Sequence, residues 1–72
     1  MSMFTAVVLR EGARYAAYSY GPDEAVPADA VCVTSIETPN GKKDSGKLRK
    51  QLTVEAKRVG LDPHDIRGLD QL

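Results

Sequence analysis

The string from Gly41 to Leu48, GKKDSGKL, is the part of the sequence whose residue types come nearest to a known chemistry. Phosphate-binding loops place a lysine after a glycine-rich turn, and the next residue is a Ser or Thr whose hydroxyl holds magnesium. Here Leu48 follows Lys47, and leucine has no oxygen for a metal ion. The string therefore does not predict nucleotide hydrolysis. Lysines beside a helix start are still compatible with a bound anion such as a phosphate.

Cys32 and His64 are the other side chains suited to chemistry near neutral pH. Cys32 lies in an apolar strand pattern, where a buried and inert thiol is usual. His64 follows a helix-start signature, and its acidic neighbours Asp62 and Asp65 lack an established metal-ligand spacing. The sequence thus predicts no catalytic residue, no metal site and no cofactor, and we expect a protein that is not an enzyme.

The charge of the chain is zero in total but strongly segregated along the sequence. Residues 1–41 carry two basic and five acidic side chains, residues 42–58 carry seven basic and two acidic, and residues 59–72 carry one basic and three acidic. The middle segment therefore has a net charge of +5 between two acidic ends. Because charges are screened over about 8 to 10 Å at physiological salt, such a block acts locally whatever the total charge.

A helix predicted over 47–59 carries most of this basic block. At about 100° per residue, an apolar stripe forms on one side of the helix and the basic side chains on the other. The stripe consists of Leu48, Leu52, Ala56 and Val59. Val54 projects into the basic side, where a purely solvated face would place a polar residue. The predicted partner-binding residues are Lys42, Lys43, Lys47, Lys50, Val54, Lys57 and Arg58.

Three tyrosines lie close together on the second predicted strand. Because side chains alternate along a strand, Tyr18 and Tyr20 share one face and Tyr15 lies on the other. Aromatic side chains on an uncovered sheet face can stack nucleic-acid bases. Tyrosines on a small sheet also cover apolar area and pair across strands. Both roles remain open for Tyr15, Tyr18 and Tyr20.

The elements that position these residues form the order β-β-β-α-α. Strands are predicted over 4–10, 14–20 and 30–37, because these segments are rich in β-favouring residues and are separated by turn signals. The third strand is apolar on both faces and is expected at the centre of the sheet. A second, short helix is predicted from Pro63 to about Leu69, with Asp62 as its cap. This is an α+β fold: a three-stranded antiparallel sheet followed by a long helix and a short C-terminal helix, both packed on one sheet face.

Size and composition indicate one small domain over residues 1–72. A chain this short buries only about 60% of its unfolded surface, so a deep substrate cavity is not expected. The sequence has no apolar run of membrane-spanning length and no secretory signal. The single cysteine excludes an internal disulfide and fits a reducing compartment, so we expect a cytoplasmic protein.

The first hairpin pattern, FTAVVLREG followed by Tyr15 to Tyr18, resembles the opening hairpin of HicB-type antitoxins. The sequence after it departs from that family, since the proline-cysteine and acidic-helix continuation is missing. The order of three strands and a helix is also similar to plant AP2-type domains and to arm-binding domains of some phage integrases, which lay their sheet on DNA. No motif residues are shared with either, so these resemblances transfer no site.

Together these features predict a small regulatory or inhibitory binding protein of a bacterium or its phage. We expect it to engage a macromolecular partner, preferably an acidic protein surface, through residues 42–58. The alternative is direct DNA or RNA binding, with the same basic segment on phosphates and the tyrosines on bases. A homodimer through a sheet edge or the uncovered sheet face is also plausible for so small a core.

Overall fold

The computed structural model describes residues 2–72 and has an α+β fold, which confirms the predicted class. The sheet has four strands and is mixed, rather than three-stranded and antiparallel as predicted. Its strands are β1 (Ser2–Glu11), β2 (Arg14–Tyr20), β3 (Cys32–Thr38) and β4 (Ile66–Arg67). The single α-helix, α1, spans Ser45–Arg58, and two short 3-10 turns span Pro63–Asp65 and Leu69–Gln71.

The central strand is β1, so the prediction that the third strand lies at the centre is wrong. The strand order is β3-β1-β2-β4, with β1 antiparallel to both neighbours and β4 parallel to β2. The apolar run Ala6 to Val8 explains this choice, because all three side chains are fully buried on the two faces of β1. On β3 the outward-facing Val33 remains 46% exposed, as an edge strand permits.

The β1–β2 hairpin follows the sequence prediction closely. Glu11 pairs with Arg14, which leaves Gly12 and Ala13 as a two-residue turn. Gly12 has a φ of 66°, a conformation that this kind of tight hairpin turn requires and that a glycine adopts without strain. The hairpin fixes the register of β2, and therefore which face each tyrosine occupies.

The connection between β2 and β3, residues 21–31, has to cross β1, because β2 and β3 run parallel on either side of it. No residue of this connection belongs to the hydrophobic cluster beneath the helix. Val7 points away from that cluster and is nevertheless fully buried. The connection therefore covers the centre of the face opposite α1, and the prediction that this face stays uncovered is only partly right.

Helix α1 begins and ends at signals visible in the sequence. The Asp44 carboxylate accepts the Lys47 backbone N–H at 3.1 Å, as an N-cap does. At the other end the Leu61 N–H donates to the Ala56 carbonyl at 2.9 Å, which closes the helix with a Schellman-type bond. Val59, predicted in the apolar stripe, lies beyond the last helical residue and is 49% exposed. No helix in residues 2–72 is both long and apolar enough to cross a membrane.

The predicted second helix is wrong. Asp62 does cap a turn and accepts the His64 N–H at 2.9 Å, but the helical hydrogen bonding stops after one 3-10 turn. The chain then extends so that Ile66 pairs with the edge of β2 and is 4% exposed. Gly68, at a φ of 80°, turns the chain again. A short helix is only marginally stable without tertiary packing. Burying Ile66 against the sheet therefore stabilises the chain more than continuing the helix would.

Thr38 is the one buried polar side chain in the described part of the chain, and its Oγ1 has no hydrogen-bond partner there. A buried hydroxyl without a partner costs stability, so Thr38→Val is expected to raise the free energy of unfolding by about 1 kcal/mol. The matched control is Thr34→Val, since the Thr34 hydroxyl donates to Gln51 Oε1 at 3.0 Å. In that variant the free energy of unfolding, measured by urea denaturation, is expected to fall by about 1 kcal/mol. A clear loss of stability in Thr38→Val would contradict the assignment.

Candidate partner-binding surface

The solvent side of α1 carries three lysines around one valine. Lys47, Lys50 and Lys57 are exposed, and Val54 lies between them in the helical arc with half of its surface exposed. The opposite side of the helix is buried in the core through Leu48, Leu52 and Ala56. We call Lys47, Lys50, Val54 and Lys57 the basic helix face. Because the apolar side fixes the rotation of α1, these four residues are held towards solvent.

The other three predicted binding residues have local partners. Lys43 Nζ donates to Ser19 Oγ at 2.9 Å, and the Arg58 guanidinium lies 3.3 Å from the Glu55 carboxylate. The Lys42 backbone N–H donates to Asn40 Oδ1 at 3.0 Å in the turn before the helix. Lys42 and Lys43 precede α1 and Arg58 is its last residue, so positive charge continues at both ends of the basic helix face. The Asp44 carboxylate at the helix start works against the anion site considered above, because it already places a negative charge there.

The tyrosines do not form one cluster. Tyr18 and Tyr20 lie on the sheet face opposite α1, as the alternation predicts, and Tyr15 packs against the hydrophobic core on the helix side. The connection that covers this face, residues 21–31, includes three exposed acidic residues: Asp23, Glu24 and Asp29. The structure therefore separates the tyrosine pair from the basic helix face by the thickness of the sheet.

Tyr18 belongs to a small polar network at the β2 end of the sheet. Its hydroxyl donates to Glu11 Oε2, and Arg67 on β4 donates to Glu11 Oε1 at 2.8 Å. The hydrogen bond to the Glu11 carboxylate raises the pKa of Tyr18 above its ordinary value, because ionising the phenol would place two negative charges side by side. The network links β1, β2 and β4.

Replacing Glu11 by glutamine is expected to lower the pKa of Tyr18. The variant removes the negative acceptor and leaves Arg67 nearby, which favours the phenolate. In the wild type the contribution of this bond to stability is present below about pH 10, the ordinary tyrosine pKa. It is lost as the pH rises through the raised pKa of Tyr18. Carbon NMR of the tyrosine Cζ atoms resolves the titration, and Glu55→Gln on the helix is the control that should leave Tyr18 unchanged.

A cleft of about 750 Å³ between the hairpin and the first 3-10 turn was not anticipated from the sequence. Its polar lining consists of Glu11, Arg14, Tyr15, His64, Asp65 and Arg67. It exists because β4 pairs with β2 and brings residues 64–67 beside the hairpin. No sequence signal marks it, since the parallel pairing of a two-residue strand leaves no pattern. The Arg67–Glu11 ion pair spans part of its wall.

The residues considered for chemistry lie apart from one another. Cys32 is buried in the core, and burial followed by the charge of Glu55 raises the pKa of its thiol. His64 is exposed in the cleft beside β4, at the opposite edge of the sheet from β3. Within residues 2–72 no three His, Cys, Asp or Glu side chains converge to hold a metal ion. The most concentrated charge on the described residues is the positive charge of the basic helix face.

Comparisons with known proteins add no identification. No protein-family model, curated protein or solved structure matches this chain.

Proposed function

We propose that this protein is a small non-enzymatic regulatory or inhibitory protein that binds an acidic surface of a protein partner through the basic helix face. The observation that supports this most directly is Val54. Half of its side chain is exposed in the middle of the lysine arc, where an apolar residue gains nothing from solvent. A contact that desolvates Val54 while lysines at its rim meet carboxylates is the arrangement typical of protein interfaces.

The electrostatics of α1 support an acidic partner. The arc that contains Lys47, Lys50 and Lys57 includes no acidic side chain. The one acid on the body of the helix, Glu55, lies nearer the core and is paired with Arg58. The basic helix face therefore presents uncompensated positive charge, although the whole chain is neutral. Local charge of this kind steers association with an oppositely charged surface.

The positions of the tyrosines favour a protein partner over nucleic acid. Base stacking by Tyr18 and Tyr20 would occur on the sheet face opposite α1, so the lysines could not hold the phosphates of the same strand. The connection crossing that face carries Asp23, Glu24 and Asp29, which repel phosphate. Direct DNA or RNA binding through the lysines alone remains the alternative that the experiment below addresses.

The small size of the domain supports a protein that acts by binding to a partner's surface. The core is formed by α1 against one face of the sheet, and the clefts around it are open to solvent. A regulatory or inhibitory protein needs only one such surface and no enclosed substrate site. A reducing, cytoplasmic location fits the single buried thiol.

The experiment compares two labelled probes of equal formal charge by fluorescence anisotropy. One is an acidic decapeptide that alternates glutamate with valine or threonine, and the other is a short single-stranded DNA. At about 150 mM salt, where weak charge contacts are screened, we expect the peptide to bind about tenfold more tightly than the DNA. Equal or tighter binding of the DNA would overturn the proposal in favour of nucleic-acid binding. A peptide with glutamine in place of glutamate is the uncharged control.

A further inference from the structure

We propose that the partner contributes an extended acidic segment that adds as a fifth strand to the free edge of β3. This inference rests on the proposed function, because it assigns a binding mode to the same surface. In strand addition the backbone hydrogen bonds provide affinity, and alternate side chains provide specificity. Three features support it: the open edge itself, the side chains on both sides of that edge, and the charge beside it.

The edge of β3 is unusually open for a small sheet. Within residues 2–72, β3 pairs with β1 on one side and has no strand on the other. It is seven residues long, from Cys32 to Thr38, and contains no lysine and no proline. Its one charged residue, Glu37, lies next to its last position, on the face opposite α1. Natural sheets usually protect such edges with lysine, proline, bulges or very short strands. The opposite edge is protected in this way, because β4 has two residues, one of them Arg67.

Side chains on both sides of this edge suit an added strand. On the helix side a groove of about 410 Å³ lies between Thr34 of β3 and α1, whose side of it is lined by Lys47, Lys50, Gln51, Val54 and Glu55. The one acid among them, Glu55, is paired with Arg58. On the other side Val31 and Val33 are 38% and 46% exposed. Consecutive side chains of a strand point to opposite faces. An added strand would therefore direct every second side chain to the lysines and the others to the valines.

The charge beside the edge defines the occupant. Side chains on the helix side meet Lys47 and Lys50, so glutamate or aspartate fits there, and valine-like residues fit against Val31 and Val33. A second copy of this chain fits poorly. Pairing two β3 edges across a two-fold axis would bring the same two lysines of each α1 towards each other, and like charges repel. The occupant is thus a partner segment with acidic residues at alternate positions.

Backbone methylation of the probe tests this mode without altering the protein. Two versions of the acidic decapeptide carry N-methyl groups on alternate amides, one version on the odd positions and the other on the even positions. A strand added at an edge directs one set of amides to β3 and the other to solvent. We therefore expect one version to bind about tenfold or more weakly and the other to bind like the parent. We also expect slower hydrogen exchange at β3 amides in the parent complex.

Each outcome separates this inference from the proposed function. If both methylated peptides bind as the parent does and Lys47→Glu with Lys50→Glu still weakens them, strand addition is overturned and the basic helix face stands. Equal weakening by both sets of methyl groups likewise contradicts strand addition, because only one set can face β3. If the double lysine variant binds the parent peptide as wild type does, the proposed function itself is wrong.

Discussion

Replacing Leu52 by alanine is expected to lower the free energy of unfolding by about 2 to 5 kcal/mol. Leu52 is fully buried in the middle of the helix stripe, and its side chain fills the space between α1 and the sheet. The variant loses the transfer free energy of the removed groups and leaves a cavity that the sheet cannot close by moving. Small domains have about 5 to 10 kcal/mol of stability in total, so this change removes a large share of it.

The matched control for Leu52→Ala is Val54→Ala, two residues along the same helix. Val54 is half exposed, and its truncation is expected to change the free energy of unfolding by no more than about 0.5 kcal/mol. Urea denaturation followed by circular dichroism measures both variants. If Leu52→Ala were as stable as Val54→Ala, the rotation of α1 in the structure would be wrong. The basic helix face would then not be the solvent side.

Reversing the charge of two lysines is expected to weaken binding of the acidic decapeptide by about ten- to a hundredfold. Lys47→Glu with Lys50→Glu replaces attraction by repulsion at the groove beside β3. Each exposed charge contact contributes about 0.2 to 1 kcal/mol, and reversing it roughly doubles the change. Two such contacts give about 0.8 to 4 kcal/mol. Since about 1.4 kcal/mol corresponds to a tenfold change in affinity, the expected ten- to hundredfold loss lies in the middle of this interval.

The control for this double variant is Arg10→Glu with Arg14→Glu at the hairpin end of the sheet. Both arginines are exposed, and both pairs of substitutions change the net charge from zero to −4. The hairpin variant is expected to retain most of the affinity, because Lys47 and Lys50 line the groove beside Thr34 of β3, whereas both arginines lie at the hairpin end of β1 and β2. Equal losses in the two variants would show that total charge, and not the basic helix face, determines binding.

The parts of the fold that could be predicted are those determined by neighbours in sequence. Gly12 marks the hairpin turn, and Asp44 marks the start of α1, because a turn or a cap involves only a few adjacent residues. The separation of Tyr15 from Tyr18 also follows from alternation along one strand. The same holds for the exposure of Val54, which follows from helical periodicity once the buried stripe is known.

The errors arise where long-range packing decides. Residues 30–37 are apolar enough for a central strand, yet β1 takes that place because Val7 is covered by the crossing connection and Val33 is not. Pro63 does start a turn, but Ile66 finds more burial beside β2 than a short helix could give. Neither the choice of central strand nor the choice between helix and strand at Ile66 can be predicted from the local sequence. The open edge of β3, on which strand addition depends, became apparent only with the strand order.

The most direct test of the basic helix face is a nitrogen–proton NMR titration of the folded protein with the acidic decapeptide. We expect the largest chemical-shift changes at Lys47, Lys50, Val54 and Lys57 and along the adjoining edge of β3. The chemical shifts of the amides in the β1–β2 hairpin and on the Tyr18 face are expected to stay unchanged. Changes that concentrate on the hairpin, or on the cleft around His64 and Arg67, would contradict the proposal and place the binding surface elsewhere.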